Sequence, residues 1–297
     1  MKTLALIHVI ICFALAAMNH AAATSLIERE NNDGALCDLP SARNVAYSAV
    51  TALPVSAPSS RHQYGESEVE IAELWLPSGE SSVVPEDGYP VVIFIHGGCW
   101  LNQFDISHSH AMSTALRHAG YAVWSLEYRR TGDPNGGWPN TYTDVLNGID
   151  ALFELDTVPL DLSRVVLTGH SAGGHLALLA GSDRTERLQG VIGLAAIVDI
   201  ERYARGKNSC QTATPAFMGG TPDELVRHYR EANPIHRTLH PMTRLLHGDL
   251  DSIVPIEQTL ALQELTQITE GAGHFDWVHP GTPAFKSLLR NLAELLP

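Results

Sequence analysis

The pentapeptide Gly169-His170-Ser171-Ala172-Gly173 places a serine between two glycines. The apolar run Arg164-Val165-Val166-Leu167-Thr168 precedes it, and the small-residue stretch Gly174-His175-Leu176-Ala177-Leu178-Leu179-Ala180 follows. Strand, G-x-S-x-G and helix in that order describe a turn too tight for a Cβ at either flank, with the serine hydroxyl lifted above a sheet. The same string arises by chance in chains rich in glycine and serine; its strand-to-helix setting is what makes Ser171 a candidate nucleophile.

A serine hydroxyl is a weak nucleophile near pH 7 and needs a base within hydrogen-bond reach, itself oriented by an acid. In the chain order Ser, Asp, His, the acid is Asp251, in His247-Gly248-Asp249-Leu250-Asp251-Ser252-Ile253-Val254-Pro255. Asp249 is its rival and is expected instead to cap its own turn. The base is His274, in Glu270-Gly271-Ala272-Gly273-His274-Phe275-Asp276, where glycines allow a loop to carry the ring over the serine. His279, ahead of Pro280, is the alternative base, and Asp276 reads as a local hydrogen-bonding group. The oxyanion of an acyl-transfer intermediate would be held by the N–H of Ala172 and by Gly97 and Gly98 of His96-Gly97-Gly98-Cys99-Trp100. Removing one such donor typically costs about 3–4 kcal/mol of transition-state stabilisation. Trp100 either lines the substrate pocket or packs under the loop, and Trp138 is a candidate pocket wall.

Other combinations carry less. His108-Ser109-His110 has metal-like spacing without a third ligand and reads as a solvated loop. Cys99 sits beside the glycines, but no histidine is expected to activate it. Tyr128-Arg129-Arg130 ends a strand and is placed to anchor a neighbouring loop by ion pairs. There is no phosphate loop, dinucleotide fingerprint or basic tract, so neither metal nor cofactor is expected.

These groups need a scaffold that brings strand ends together. Val69 to Leu76, Tyr89 to Ile95, Tyr121 to Leu126, Val165 to Leu167, Val191 to Val198, Leu245-Leu246 and Leu265 to Thr269 read as strands. Helical spacing covers His110 to Ala119 and Tyr142 to Leu155, and a final helix follows Pro280. Strands alternating with helices imply an α/β fold with a mostly parallel central sheet and helices on both faces. Each candidate group falls just after a strand, where such sheets bind ligands. Residues 199–243 interrupt the pattern and suit a small cap or rim.

The N-terminus reads as an export signal over residues 1–23: Lys2, an apolar core from Leu4 to Met18, and Ala21-Ala22-Ala23 as cleavage site. The core is short of the roughly 20 residues of a spanning helix. The chain is therefore expected to be secreted or periplasmic, with no membrane span after cleavage. Residues 24–65 read as an irregular lead-in and 66–297 as the catalytic domain. The net charge is −14 over 297 residues; without Lys2 it becomes −15 (−14 − 1), which repels nucleic acid and other polyanions. Cys37, Cys99 and Cys210 would remain. One disulfide, for example Cys37–Cys210, is possible in an oxidising compartment, and sequence does not set the pairing. Oligomeric state is equally open.

Together, His96-Gly97-Gly98-x-Trp100, Gly169 to Ala177, His247-Gly248-x-x-Asp251-x-x-Val254-Pro255 and Gly273-His274-Phe275 resemble the α/β-hydrolase superfamily. The resemblance covers roughly residues 68–295. It is nearest to carboxylesterases of the feruloyl and acetyl esterase kind and to kynurenine formamidase-like enzymes, and more distant from hormone-sensitive-lipase-type esterases. It implies an α/β-hydrolase fold, Ser171, His274 and Asp251 as triad, and a small-molecule ester as substrate, with an arylformamide or small amide as alternative. A serine peptidase and an inactive binding protein are further alternatives. Two departures stand out: Cys99 occupies a position where lipase-like members often carry glycine, and the segment between Pro255 and Gly273 is short, leaving room for only a brief helix.

Overall fold

A computed structural model of the chain describes residues 41–77 and 84–297; the expected leader and Cys37 lie outside the described residues. Eight strands form one sheet: β1 Ser60–Gln63, β2 Ile71–Trp75, β3 Tyr89–Ile95, β4 Ala122–Leu126, β5 Leu160–His170, β6 Gly190–Leu194, β7 Thr243–Gly248 and β8 Thr266–Thr269. Their order is β1-β2-β4-β3-β5-β6-β7-β8. Antiparallel pairing is confined to β1–β2 and β2–β4, and every other pair is parallel. The α-helices, in chain order, are α1 Tyr47–Thr51, α2 His110–His118, α3 Asn140–Leu152, α4 Ala172–Asp183, α5 Ile200–Tyr203, α6 Ser209–Met218, α7 Val226–Glu231, α8 Glu257–Leu260 and α9 Pro283–Leu295. None is long and apolar enough to cross a membrane among the described residues.

Strand β3 shows why the sheet is covered on both sides. Val91, Ile93 and Ile95 enter one apolar core, and Val92 and Phe94 enter the other, as the two-residue period of a strand requires. The first core also holds Val145, Ile149 and Leu152 of α3 and Leu176 to Leu179 of α4. The second holds Met112 and Leu116 of α2 and Phe285, Leu288, Leu292 and Leu295 of α9. Each of those α9 side chains contributes about 1.5–3 kcal/mol by burial. Thr282 starts that helix by accepting the N–H of Phe285 at 3.1 Å, ahead of Pro283. A charged residue on this stripe would remove α9 from the sheet.

Two stretches are more ordered than their composition suggests. Residues 41–65, read as a loose lead-in, supply α1 and the edge strand β1. The polar residues 199–243 hold α5, α6 and α7. Helix α6 contains an internal Pro215 and starts with a capping box, in which Asn208 and Gln211 bond reciprocally through side chain and backbone. The segment after Pro255 is as brief as expected, with four-residue α8 and four-residue β8.

Candidate active site

Ser171 stands at the end of β5, where the backbone turns into α4 with φ 57° and ψ −118°. Such a conformation costs a residue with a Cβ about 1–3 kcal/mol and persists where packing imposes it. The packing is visible at the flanking glycines: a Cβ on Gly169 would lie 2.1 Å from the Gly173 carbonyl oxygen, and one on Gly173 2.2 Å from that of Ile95. The serine N–H is held by the Leu194 carbonyl at 2.8 Å. The strained turn thus sets the hydroxyl at the rim of the sheet, at a helix N-terminus whose dipole favours negative charge.

Asp251 lies in the loop after β7, and His274 opens the short 3₁₀ segment His274–Val278. His274 Nδ1 donates to Asp251 Oδ2 at 2.7 Å, so that in the neutral ring Nε2 is the acceptor. The other carboxylate oxygen accepts the N–H groups of Ile253 and Val254, both at 2.8 Å. Burial works against ionisation of Asp251. The charge and hydrogen bond of His274, then His247 and the Val254 amide, outweigh it and hold the carboxyl below its ordinary range. The ring of His274 lies 4.6 Å, centroid to centroid, from that of His170, the residue before Ser171. His170 Nε2 meets the His274 carbonyl oxygen at 2.9 Å, and burial, then repulsion by His274, pushes its basicity well down.

The competing acids and base go elsewhere. Asp249 accepts the Gly271 N–H at 2.6 Å, so it fastens the histidine loop and does not close its own turn. His279 Nδ1 accepts the N–H of Gly281 at 3.1 Å, ahead of α9. Asp276 reaches far beyond its neighbourhood: its two oxygens accept the N–H groups of Asn44 at 2.8 Å and Val45 at 2.7 Å. The N-terminal segment is thereby strapped across the histidine loop.

Gly98, with φ 113°, lies so close to Phe104 that a Cβ would sit 2.4 Å from the Phe104 Cβ. Gly97 packs against the elbow, its hypothetical Cβ 3.1 Å from that of Ser171. Among the described residues neither Gly98 nor Ala172 donates its N–H to a backbone acceptor. Beneath the turn, His96 is clasped by Glu127 at 2.8 Å, and its carbonyl accepts the Tyr128 hydroxyl at 2.7 Å. Glu127 also accepts the N–H groups of Ile106 and Tyr128 and pairs with Arg130 at 3.2 Å. Burial opposes its charge, but His96 and Arg130 keep it ionised below the usual carboxylate range. Sequence reading missed Glu127; its signal is a lone acid directly after an apolar strand. Arg129 and Arg130 anchor loops as expected, on Asp144 and Glu70, and on Glu127 and Asp133.

A cavity of about 250 Å³ opens beside Ser171 and His274. Its apolar walls are Tyr47, Leu101, Phe104, Ile253 and Phe275, with Cys99 and Cys210 beside Gly98. Neither tryptophan lines it. Trp100 is buried under the loop, stacked on Phe217 at 4.7 Å, and Trp138 stacks on Tyr142 at 5.4 Å. Tyr47, from the supposed lead-in, takes the aromatic wall position instead, 5.5 Å from Phe275 and 5.8 Å from Phe104. The disulfide also differs from the example considered: Cys210 is bonded to Cys99. His108 and His110 diverge, and His108 is buried where a solvated loop was expected. His108 Nδ1 donates to the Asp105 carbonyl at 2.8 Å, while His110 Nε2 faces Glu73 at 2.8 Å. No group of three His, Cys, Asp or Glu among the described residues could hold a metal ion.

Comparison with known proteins identifies the family. Residues 80–265 match the family model named BD-FAE. The chain is similar to Esterase LipC of Mycobacterium tuberculosis, 25% identical over 219 residues that cover 68% of this chain and 53% of that protein. It is 30% identical to Kynurenine formamidase of Salmo salar over 162 residues, 52% of this chain and 51% of that one. The chain thus spans about half the length of these curated relatives. The crystal structure of esterase B from Lactobacillus Rhamnosis superposes with a TM-score of 0.67 at 22% identity, over 84% of this chain and 90% of that one, a likeness of fold. Because the family match runs over more than half its length, the chain belongs to the BD-FAE family, and its fold is that of an α/β hydrolase.

Proposed function

We propose that this protein is a serine hydrolase of small carboxylic esters that works through an acyl-enzyme. The hydrogen bond between His274 Nδ1 and Asp251, with His274 and Ser171 lining one cavity, carries the reading. His274 takes the proton of the Ser171 hydroxyl as its oxygen attacks the ester carbonyl. The N–H groups of Gly97, Gly98 and Ala172 take up the oxyanion. His274 then returns the proton to the departing alcohol, and afterwards draws one from water to release the acid. The walls at Tyr47, Phe104 and Phe275 suit a short apolar acyl group.

Formamide hydrolysis by the same residues is the second reading, favoured by the similarity to kynurenine formamidase. The two share each step up to the leaving group. Action after export fits the sequence of residues 1–23 and the Cys99–Cys210 pairing, since disulfides persist in oxidising compartments.

The deciding experiment is turnover of nitrophenyl esters of graded acyl length beside N-formylkynurenine, with fluorophosphonate labelling of the wild type and Ser171→Ala. Ester turnover and labelling that both vanish in Ser171→Ala are expected. A wild-type protein that is neither labelled nor active on any ester or formamide sinks the proposal.

A further inference from the structure

The turn after Gly98 passes through two successive non-glycine residues with positive φ, Cys99 at 55° and Trp100 at 58°. Side chains with a Cβ resist this region, and residues stay in it only where their surroundings hold them there. Both are held by one helix of the cap, α6. Cys99 is joined to Cys210 by a disulfide, with 5.0 Å between the Cα atoms. Trp100 is stacked on Phe217 with the ring planes 8° apart. Positions 210 and 217, two helical turns apart, share a face of α6.

Helix α6 is itself fixed at both ends. Asn208 Nδ2 donates to the Ile253 carbonyl in the Asp251 loop at 2.7 Å, and the Phe217 carbonyl accepts the Trp138 N–H at 2.8 Å. The two sulfurs' residues and Gly98 line the cavity together with Ser171.

We infer that the Cys99–Cys210 disulfide is a positioning crosslink for the oxyanion turn. It holds residue 99 in a left-handed conformation that cysteine would otherwise leave, and so keeps the Gly98 backbone in place beside Ser171. A glycine at 99 would adopt that φ unaided; the crosslink replaces that freedom. The catalytic consequence rests on the serine hydrolase reading, while the structural one stands without it.

Two double variants lack the crosslink and differ only in the Cβ at 99: Cys99→Ala/Cys210→Ala and Cys99→Gly/Cys210→Ala. On a short nitrophenyl ester the alanine pair should lose at least about tenfold in kcat with KM within about twofold, as expected for a misplaced oxyanion donor. The glycine pair should return to within about threefold of wild type. Amide hydrogen exchange over residues 96–101 reads the turn without turnover and should quicken in the alanine pair. Wild-type kcat and exchange in the alanine pair overturn the proposal, as does a kcat loss that glycine fails to restore. An alanine pair that does not fold beside a folded, active glycine pair supports it; failure of both to fold overturns it, because the bond would then serve global stability. If the wild type turns over no ester, exchange still decides the crosslink, and the hydrolase reading fails separately.

Discussion

His274 and Asp251 are joined by a single 2.7 Å hydrogen bond between Nδ1 and Oδ2, while the carboxylate's second oxygen is fully occupied by two backbone amides. The acid is therefore fixed by the chain and the imidazole is fixed by the acid, an order of constraint that makes the tautomer of His274 a property of the Asp251 loop.

Ser171→Ala and His274→Ala should each lower kcat/KM for a short ester by about 10⁴-fold or more, with far-UV circular dichroism unchanged. Asp251→Asn should cost about 10²–10⁴-fold through the wrong tautomer. Asp249→Asn should stay within about tenfold, because it touches the Gly271 amide and not the imidazole. A larger loss in Asp249→Asn than in Asp251→Asn would reassign the acid.

Acid should destabilise the fold before it protonates most carboxylates. Burial pushes His108 and His175 down to about 4, so both are neutral in the folded state near pH 5. Their stabilising contribution is complete above the unfolded histidine range near 6.5 and is lost as pH falls toward their folded values. By pH 5 each has lost about 2 kcal/mol. Urea midpoints at pH 7.5 and 5 test this. His175→Gln, which can still donate to the Ala232 carbonyl, should flatten the dependence; a wild-type midpoint at pH 5 equal to or above that at pH 7.5 would contradict it.

Asp276→Ala should destabilise the protein by about 2–4 kcal/mol, because two amides lose a charged acceptor. Asp276→Asn keeps one acceptor oxygen and should cost less. Thermal unfolding of the pair reads the difference, and equal Tm values for both variants and wild type would show that the N-terminal strap is not anchored there.

Tyr47→Ala should enlarge the cavity beside Phe275 and Phe104. The expected result is a preference moved toward longer acyl chains, with kcat/KM on a hexanoyl ester rising relative to acetyl by about 3–10-fold. An unchanged chain-length profile would place the acyl group elsewhere.

Much of this protein was legible from one dimension, because several of its constraints are local. Buried parallel strands show as unbroken apolar runs, which is why β3 was bounded at Tyr89 and Ile95. A turn with no space for a Cβ declares itself through Gly169 and Gly173. Chain order then narrows the candidate acid and base to Asp251 and His274, and the fold brings the two within hydrogen-bond distance. Tertiary structure alone decided the rest, since those features depend on residues far apart meeting. Nothing near Tyr47 signals that it will wall a cavity formed by Phe104 and Phe275. Asp276 could not be seen to hold amides more than two hundred positions away, nor Cys210 to choose Cys99 across 111 residues. Local sterics are written in neighbouring letters, whereas a long-range contact exists only once the sheet has brought its loops to the same edge.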